Sequence, residues 1–172
     1  MMRLHVVRGD ITMMDVDAVI NAASPRMRGG GGVDGAVHSA GGPAILRDCI
    51  ARFPDGLPTG AAGWTTAGDL PARWVIHVVG PNRHAGQVDP ALLASCYRNA
   101  LAVADELGAR SLASPLVSAG IYGWALDDAA RIAAATLTTA SAAVTDVTMV
   151  AFSDAALGIL SAAFAAASPP QT

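Results

Sequence analysis

The chain has 172 residues, 52% of them hydrophobic and 15% charged, which is long enough for one well-packed core and short for two. The formal net charge of -3 and the absence of lysine give no support to a nucleic-acid groove, an anionic membrane surface or lysine-based chemistry. We therefore expect one domain over residues 1–172 that is a monomer without a membrane partner.

Short apolar runs alternate with helical patterns along the chain. Strands are predicted at residues 4–7, 17–23, 74–79, 111–116 and 146–152, with a weak, glycine-interrupted strand at 59–67. Helices are predicted at residues 33–53, with a break at 41–43, and at 89–107, 127–141 and 155–167. This order predicts an α/β protein whose sheet is mixed and mainly parallel, with helices on both faces.

Three unusual loops each follow a predicted strand: GDIT at residues 9–12, a glycine-rich segment at 24–32, and SAGIYG at 118–123. In mainly parallel sheets, ligands bind beyond the carboxyl ends of the strands. The three loops are therefore expected to converge on one ligand site.

The four consecutive glycines at 29–32 have two competing interpretations. Glycine lets backbone N–H groups approach an anion closely, and the run leads into a helix N-terminus, which favours an anion site. A flexible surface linker is the alternative. A dinucleotide-binding fingerprint fits poorly, because residues 24–28 separate the strand from the glycines, and a P-loop would need a lysine.

Asp34 and His38 are four residues apart at the start of the helix that follows, so they share one face. A carboxylate in the first turn is favoured by the helix dipole whether or not it is catalytic. A single histidine in a helix is more often structural. The sequence pattern alone leaves both interpretations open.

Several motifs together resemble the macrodomain family, in particular its members that hydrolyse mono-ADP-ribose linkages and deacetylate O-acetyl-ADP-ribose. The motifs are GDIT, NAASPRMRGGGGVDGAVHSAGG at 21–42, PTG at 58–60, LPARWVIHVVGP at 70–81 and SAGIYGW at 118–124. The resemblance extends over residues 3–164. It implies a three-layer α/β/α fold with ADP-ribose in a cleft across the strand ends.

The resemblance also implies roles for individual residues. Asp10 would accept a hydrogen bond from the adenine amino group, with the N–H of Ile11 beside it, although an Asp in this position also suits a simple turn. Phe152 would pack on adenine, although a Phe that ends a buried strand is more often core. The remaining ligand-binding positions, which would surround the diphosphate and the distal ribose, are Gly31, Gly32, Val33, Ser118, Ala119, Gly120, Ile121 and Tyr122.

Asp34 and His38 resemble the catalytic pair of the family. Asp34 would orient or deprotonate a water molecule for attack at the distal ribose, and His38 would fix its geometry or relay a proton. The resemblance implies no cofactor, and no cluster of metal ligands is visible in the sequence, so we expect no metal requirement. Which atom of the substrate the water attacks stays open.

One position departs from the family pattern. Ser24 stands where family members usually carry an Asn that hydrogen-bonds the distal ribose, and a serine reaches less far and lacks the two N–H donors of an amide. Asn21 is retained as a ligand-binding residue, with a structural role in the loop as the alternative. The substitution at position 24 keeps a non-catalytic ADP-ribose reader open as a second function.

The expected partners are ADP-ribose or O-acetyl-ADP-ribose and mono-ADP-ribosylated proteins. ADP-ribosylated nucleic acid is a weaker alternative, since the net charge is negative and only Arg26 and Arg28 flank the glycines. Cys49 and Cys96 are far apart and lack neighbouring zinc ligands, so we expect both to be reduced and buried. With no signal-peptide pattern in the first eleven residues, these features predict a cytoplasmic protein.

Overall fold

A computed structural model of the protein describes residues 1–168. Its centre is one six-stranded sheet in the order β1-β6-β5-β2-β4-β3. The strands are β1 (Arg3–Arg8), β2 (Ala18–Ala23), β3 (Ala62–Thr66), β4 (Trp74–Val79), β5 (Ser111–Ser114) and β6 (Asp146–Ala151). Every neighbouring pair is parallel except β3 and β4, so the predicted mixed, mainly parallel sheet is confirmed.

Helices cover both faces of this sheet. They are α1 (Gly32–Gly41), α2 (Pro43–Arg52), α3 (Pro90–Leu107), α4 (Leu126–Thr139) and α5 (Asp154–Ala167). One core lies between the sheet and α1 with α2, and a larger core lies between the sheet and α3, α4 and α5. This is the three-layer α/β/α arrangement that the resemblance implied.

The two cores follow from the period of two in buried strands. In β2, Val19 faces the core under α1 and α2, whereas Ile20 faces the core under α3, α4 and α5. Val75 and Ile76 divide in the same way in β4. A sheet covered on both faces needs apolar side chains at successive positions, which is why these strands read as continuous apolar runs.

Two strands end earlier than the sequence predicted, at residues 114 and 151 instead of 116 and 152. Strand β5 ends at Ser114 because Pro115 follows, and proline has no N–H to donate to a neighbouring strand. Strand β6 ends one residue before Phe152, and Ser153 then caps α5 by accepting from the N–H of Ala156. The predicted break at residues 41–43 is confirmed, since Gly42 separates α1 from α2 with a φ of 78°.

Strands β6, β5 and β2 are neighbours and parallel, so their carboxyl ends lie at one edge of the sheet. The loop after β2 contains the glycine run, and the loop after β5 contains the SAGIYG segment. Within residues 1–168, no helix is both long and apolar enough to cross a membrane.

Candidate active site

A cleft of about 650 Å³ lies along the carboxyl ends of the strands, within the size range of small-molecule sites. All three loops singled out in the sequence contribute to its walls. The sequence-predicted residues that line it are Asp10, Ile11, Ser24, Gly31, Gly32, Val33, Asp34, Ser118, Gly120, Ile121, Tyr122 and Phe152. The three loops therefore meet at one cleft, as their positions after strands predicted.

One end of the cleft is formed by the loop after β1 and the residue after β6. The carboxylate of Asp10 accepts from the backbone N–H of Thr12 at 2.9 Å and from its hydroxyl at 2.7 Å. The Thr12 hydroxyl, and after it the N–H, hold the pKa of Asp10 below its usual value, because both donate to the charged form. Phe152 is 70% exposed at the cleft, so it does not belong to the core.

The glycine run forms one wall and is tied to α1. Gly29 and Gly32 have φ values of 87° and 59°, a region that other residues rarely adopt. A Cβ on Gly35 would lie 2.7 Å from the carbonyl oxygen of Gly30, so the loop packs closely on the helix. This close packing argues against a flexible linker, and the glycine run leads into the N-terminus of α1, where the first N–H groups of a helix have no partner within the helix.

The opposite wall is the loop after β5. Its backbone is set by Ser118, whose φ is 68° and whose carbonyl accepts from the N–H of Trp124 at 3.1 Å. The side chain of Ile121 is 65% exposed and extends across to Gly31 and Gly32, so that a Cβ on Gly31 would lie 3.2 Å from its Cδ1. The two walls therefore approach each other at the middle of the cleft.

Asp34 is the ionisable side chain of the glycine wall and is only 4% exposed. Its Oδ1 accepts from Nδ2 of Asn21 at 2.8 Å and lies 3.4 Å from Nε2 of His38. A Cβ on Gly30 would lie 3.2 Å from Oδ2, so the other carboxylate oxygen faces the glycine loop. Burial of Tyr122 and, after it, the nearby Asp34 charge raise the pKa of that phenol, which keeps it protonated.

Three sequence-predicted site residues lie outside the cleft lining. Asn21 is fully buried beneath Asp34, and both its N–H groups point to protein acceptors. The side chain of His38 is 15% exposed and its ring lies below Gly29. Ala119 is half-buried in the loop after β5 and is not part of the wall.

Sequence reasoning missed His77, which is fully buried in β4. Its Nδ1 lies 3.1 Å from Nδ2 of Asn21, and its Nε2 lies 2.8 Å from Oγ1 of Thr65. The available signal was a polar residue inside the apolar run WVIHVV. A buried polar group in such a strand must have a partner, although the sequence does not say which one.

Arg28 has a structural role that limits the predicted basic patch. Its guanidinium donates to the carbonyl oxygens of four residues, each at 3.1 Å; they are Arg26, Met27, Phe53 and Pro54. The guanidinium therefore ties the segment before the glycines to the end of α2. Of the two arginines named from the sequence, only Arg26 is exposed.

Both cysteines are free and buried, as predicted. Burial raises the pKa of Cys49 to about 11 and that of Cys96 to about 12, so neither is a ready nucleophile near neutral pH. In the part of the chain that the structure describes, no three His, Cys, Asp or Glu side chains are grouped as a metal site would need.

Residues 20–133 match the family model described as Macro domain. The chain belongs to the macro domain family. A macro domain-containing protein of Streptomyces coelicolor is 54% identical over 153 residues, which cover 87% of this chain and 90% of that relative. An O-acetyl-ADP-ribose deacetylase of Klebsiella pneumoniae is 47% identical over 137 residues, which cover 78% of each protein.

Solved macrodomains share the fold closely. A Gly-to-Val mutant of the Oceanobacillus iheyensis macrodomain with ADPR has a TM-score of 0.90 and 36% identity, covering 95% of this chain and 92% of that one. Ser24 lies in the wall of the cleft described above, and its Oγ is 3.5 Å from the carbonyl oxygen of Gly29.

Proposed function

We propose that this macrodomain binds ADP-ribose and hydrolyses esters of its distal ribose, both in O-acetyl-ADP-ribose and in mono-ADP-ribosylated acidic side chains. The observation that carries the proposal is the Asp34 carboxylate. It is buried in the wall of the cleft, directly after the glycine run, and is oriented by Asn21 at 2.8 Å. A buried, oriented carboxylate beside an anion-binding loop suits a general base for ester hydrolysis.

The two ends of the cleft suit the two ends of ADP-ribose. Asp10 offers a fixed carboxylate acceptor, and Phe152 an exposed ring, for the amino group and the face of adenine. The glycine run and the loop after β5 offer backbone N–H donors to the diphosphate, which suits a protein that has few cations. The distal ribose would then lie against Asp34, with Ser24 and Tyr122 nearby.

The chemistry requires only water and the residues of the cleft. In O-acetyl-ADP-ribose, the water oxygen bonds to the acyl carbon, the ester C–O bond breaks, acetate leaves, and the ribose oxygen takes a proton. Asp34 orients the water and accepts its proton, while His38 at 3.4 Å fixes the carboxylate or relays the proton. The loops contribute by holding the ribose within reach of that water.

No residue in this scheme is assigned to a metal ion. The proposal therefore includes unchanged turnover in the presence of a chelator. Loss of activity on chelation, and its return with a divalent cation, would contradict this part of the scheme.

A second candidate function is that of a non-catalytic ADP-ribose reader, which Ser24 favours. Its Oγ lies 3.5 Å from the Gly29 carbonyl oxygen, the outer limit of a hydrogen bond, so it is weakly held, and a serine reaches less far towards a ligand than the usual asparagine. Hydrolysis of ADP-ribosylated nucleic acid has less support, because the Arg28 guanidinium is occupied by carbonyl oxygens.

The deciding experiment follows acetate release from O-acetyl-ADP-ribose and label release from a mono-ADP-ribosylated acidic protein. Wild type should release both, and Asp34→Asn should release neither while still binding ADP-ribose in a calorimeter. Asp55→Asn, at an exposed position, is the matched control and should behave as wild type. ADP-ribose binding without any release by the wild type would favour the reader.

A further inference from the structure

The layer between the sheet and α1 with α2 is apolar except for a few buried polar side chains that are linked to one another. Asn21, Thr65 and His77 have no exposed surface, and Asp34 has 4%. Burying a polar group is costly unless it is hydrogen-bonded. These four side chains are joined by hydrogen bonds into one chain that ends at the cleft, although the buried Oδ1 of Asn21 has no partner among the residues that the structure describes.

Strand pairing brings together Asn21 and His77, the two middle members of this series of hydrogen-bonded side chains. Strands β2 and β4 are parallel neighbours, and their register sets Asn21 directly opposite His77. Both side chains point to the face covered by α1 and α2, as Val19 and Val75 do two residues earlier in each strand. Thr65 in β3 lies opposite Val75, next along the same face.

The hydrogen bonds of the chain have one consistent direction. The hydroxyl of Thr65 donates to the carbonyl oxygen of Thr66 at 2.9 Å, so its oxygen accepts from Nε2–H of His77. With the proton on Nε2, Nδ1 is an acceptor and takes one N–H of the Asn21 amide. The other N–H of that amide donates to Oδ1 of Asp34.

We propose that His77 is a positioning residue, whose Nδ1 holds the Asn21 amide so that it orients the Asp34 carboxylate for ester hydrolysis. The inference rests on the proposed function and assigns it a further residue outside the cleft. If the amide of Asn21 rotated, its oxygen would face Oδ1 of Asp34, which is repulsive. The same nitrogen, Nδ2, also donates to Nδ1 of His77, so a rotated amide would set its oxygen against that acceptor as well.

The protonation state of His77 fits this role. Burial, and after it the neighbouring His38, lower the pKa of His77 to about 4, against the opposing effect of Asp34 and Asp48. The ring is therefore neutral near pH 7, with one nitrogen free to accept. A protonated ring would present N–H groups on both sides and would oppose the N–H of Asn21.

Two substitutions separate positioning from core packing. His77→Asn keeps an acceptor at the δ position, which can accept from the Asn21 N–H, and loses the hydrogen bond with Thr65. His77→Gln places its polar group at the ε position, where it can donate to Thr65, and loses the hydrogen bond with Asn21. Val75→Ala, at a fully buried position two residues earlier on the same face, is the packing control.

The experiment measures kcat and KM for O-acetyl-ADP-ribose, the Kd for ADP-ribose, and the melting temperature of each variant. His77→Gln should lower kcat on the order of tenfold with the Kd unchanged, the loss of about one oriented hydrogen bond in the transition state. His77→Asn should retain kcat close to wild type. Val75→Ala should lower the melting temperature and leave kcat unchanged.

Failure of the inference is distinct from failure of the proposed function. If wild type turns over and the two His77 variants have equal kcat, or lose kcat in proportion to melting temperature, His77 is only a packing residue. If wild type does not turn over, the proposed function and the positioning role are both wrong. Hydrogen exchange of the Asn21 side-chain amide protons, followed by NMR, gives a direct readout of the contact with His77. Exchange should accelerate in His77→Gln and not in Val75→Ala. Unchanged exchange in His77→Gln would overturn the inference.

Discussion

Nδ2 of Asn21 lies 2.8 Å from Oδ1 of Asp34, so a fully buried strand residue holds the carboxylate that faces the cleft. Asn21 is a residue of strand β2, and its amide contacts Asp34 in the wall of the candidate site. Its second N–H is taken by His77, which leaves it no donor for a ligand in the cleft. The predicted ligand-binding role of Asn21 is accordingly proposed as an indirect one, exerted through Asp34.

Replacing Ser24 by asparagine should raise turnover. The serine Oγ is held only by a 3.5 Å contact with the Gly29 carbonyl oxygen, whereas an amide reaches one atom further and brings two N–H donors. One added hydrogen bond to the ribose corresponds to roughly 1 kcal/mol, or about fivefold in kcat/KM for O-acetyl-ADP-ribose. Ser24→Ala is the control, and equal or slower turnover by Ser24→Asn would show that position 24 does not contact the ribose.

The substitution Gly35→Ala should weaken ADP-ribose binding, although Gly35 does not line the cleft. Its Cβ would come within 2.7 Å of the Gly30 carbonyl oxygen, so the glycine loop must shift. Gly158→Ala is a matched control, since it also replaces a helical glycine and its Cβ would have no neighbour within 4 Å.

The two alanine variants should therefore diverge in calorimetry and in urea unfolding. Gly158→Ala should gain about 0.5–1 kcal/mol of unfolding free energy with the Kd for ADP-ribose unchanged, because alanine costs less backbone entropy in a helix. Gly35→Ala should raise the Kd. An unchanged Kd in Gly35→Ala would mean that the position of the glycine loop does not control binding.

Acid should destabilise the protein partly through His77. The pKa of His77 is lowered from 6.5 to about 4 in the folded state, chiefly by burial, so between these values the unfolded chain takes up a proton that the folded chain excludes. The contribution of His77 to the free energy of unfolding is therefore fully present above pH 6.5 and is lost as the pH falls towards 4. The loss from this group alone is about 3 kcal/mol.

Urea unfolding of wild type and His77→Asn at pH 7 and pH 4.5 isolates that contribution. Carboxylates that titrate in the same range are common to both proteins and cancel in the comparison. The wild type should lose more unfolding free energy than the variant on acidification. Equal losses would mean that the His77 ring takes up its proton at the same pH in the folded and the unfolded chain.

Local patterns were sufficient to predict the sheet and the three loops of the cleft. The apolar runs at 18–23 and 74–79 identified two central strands, because a strand covered on both faces requires apolar residues at successive positions. The glycines at 29–32 identified one wall, because a run without Cβ atoms between a strand and a helix lets the backbone approach a ligand closely. The order of strands and helices then brought the loops together.

The contacts beneath the cleft were not predictable in the same way. Asn21 and His77 are 56 positions apart and meet only through the register of β2 and β4, which no local pattern specifies. The apolar pattern alone would place Phe152 in the core, whereas its ring is 70% exposed at the cleft, where the family resemblance had placed it. From the sequence, Arg28 was interpreted as part of a basic surface patch, because no local pattern shows that its guanidinium donates to four carbonyl oxygens.

The central claim is that one cleft both binds ADP-ribose and hydrolyses its esters. The most direct test is inhibition of O-acetyl-ADP-ribose hydrolysis by ADP-ribose, with the Kd of the same protein sample measured by calorimetry. We predict competitive inhibition with a Ki that agrees with the Kd. Non-competitive inhibition, or a Ki far from the Kd, would place binding and hydrolysis at different sites and would contradict the claim.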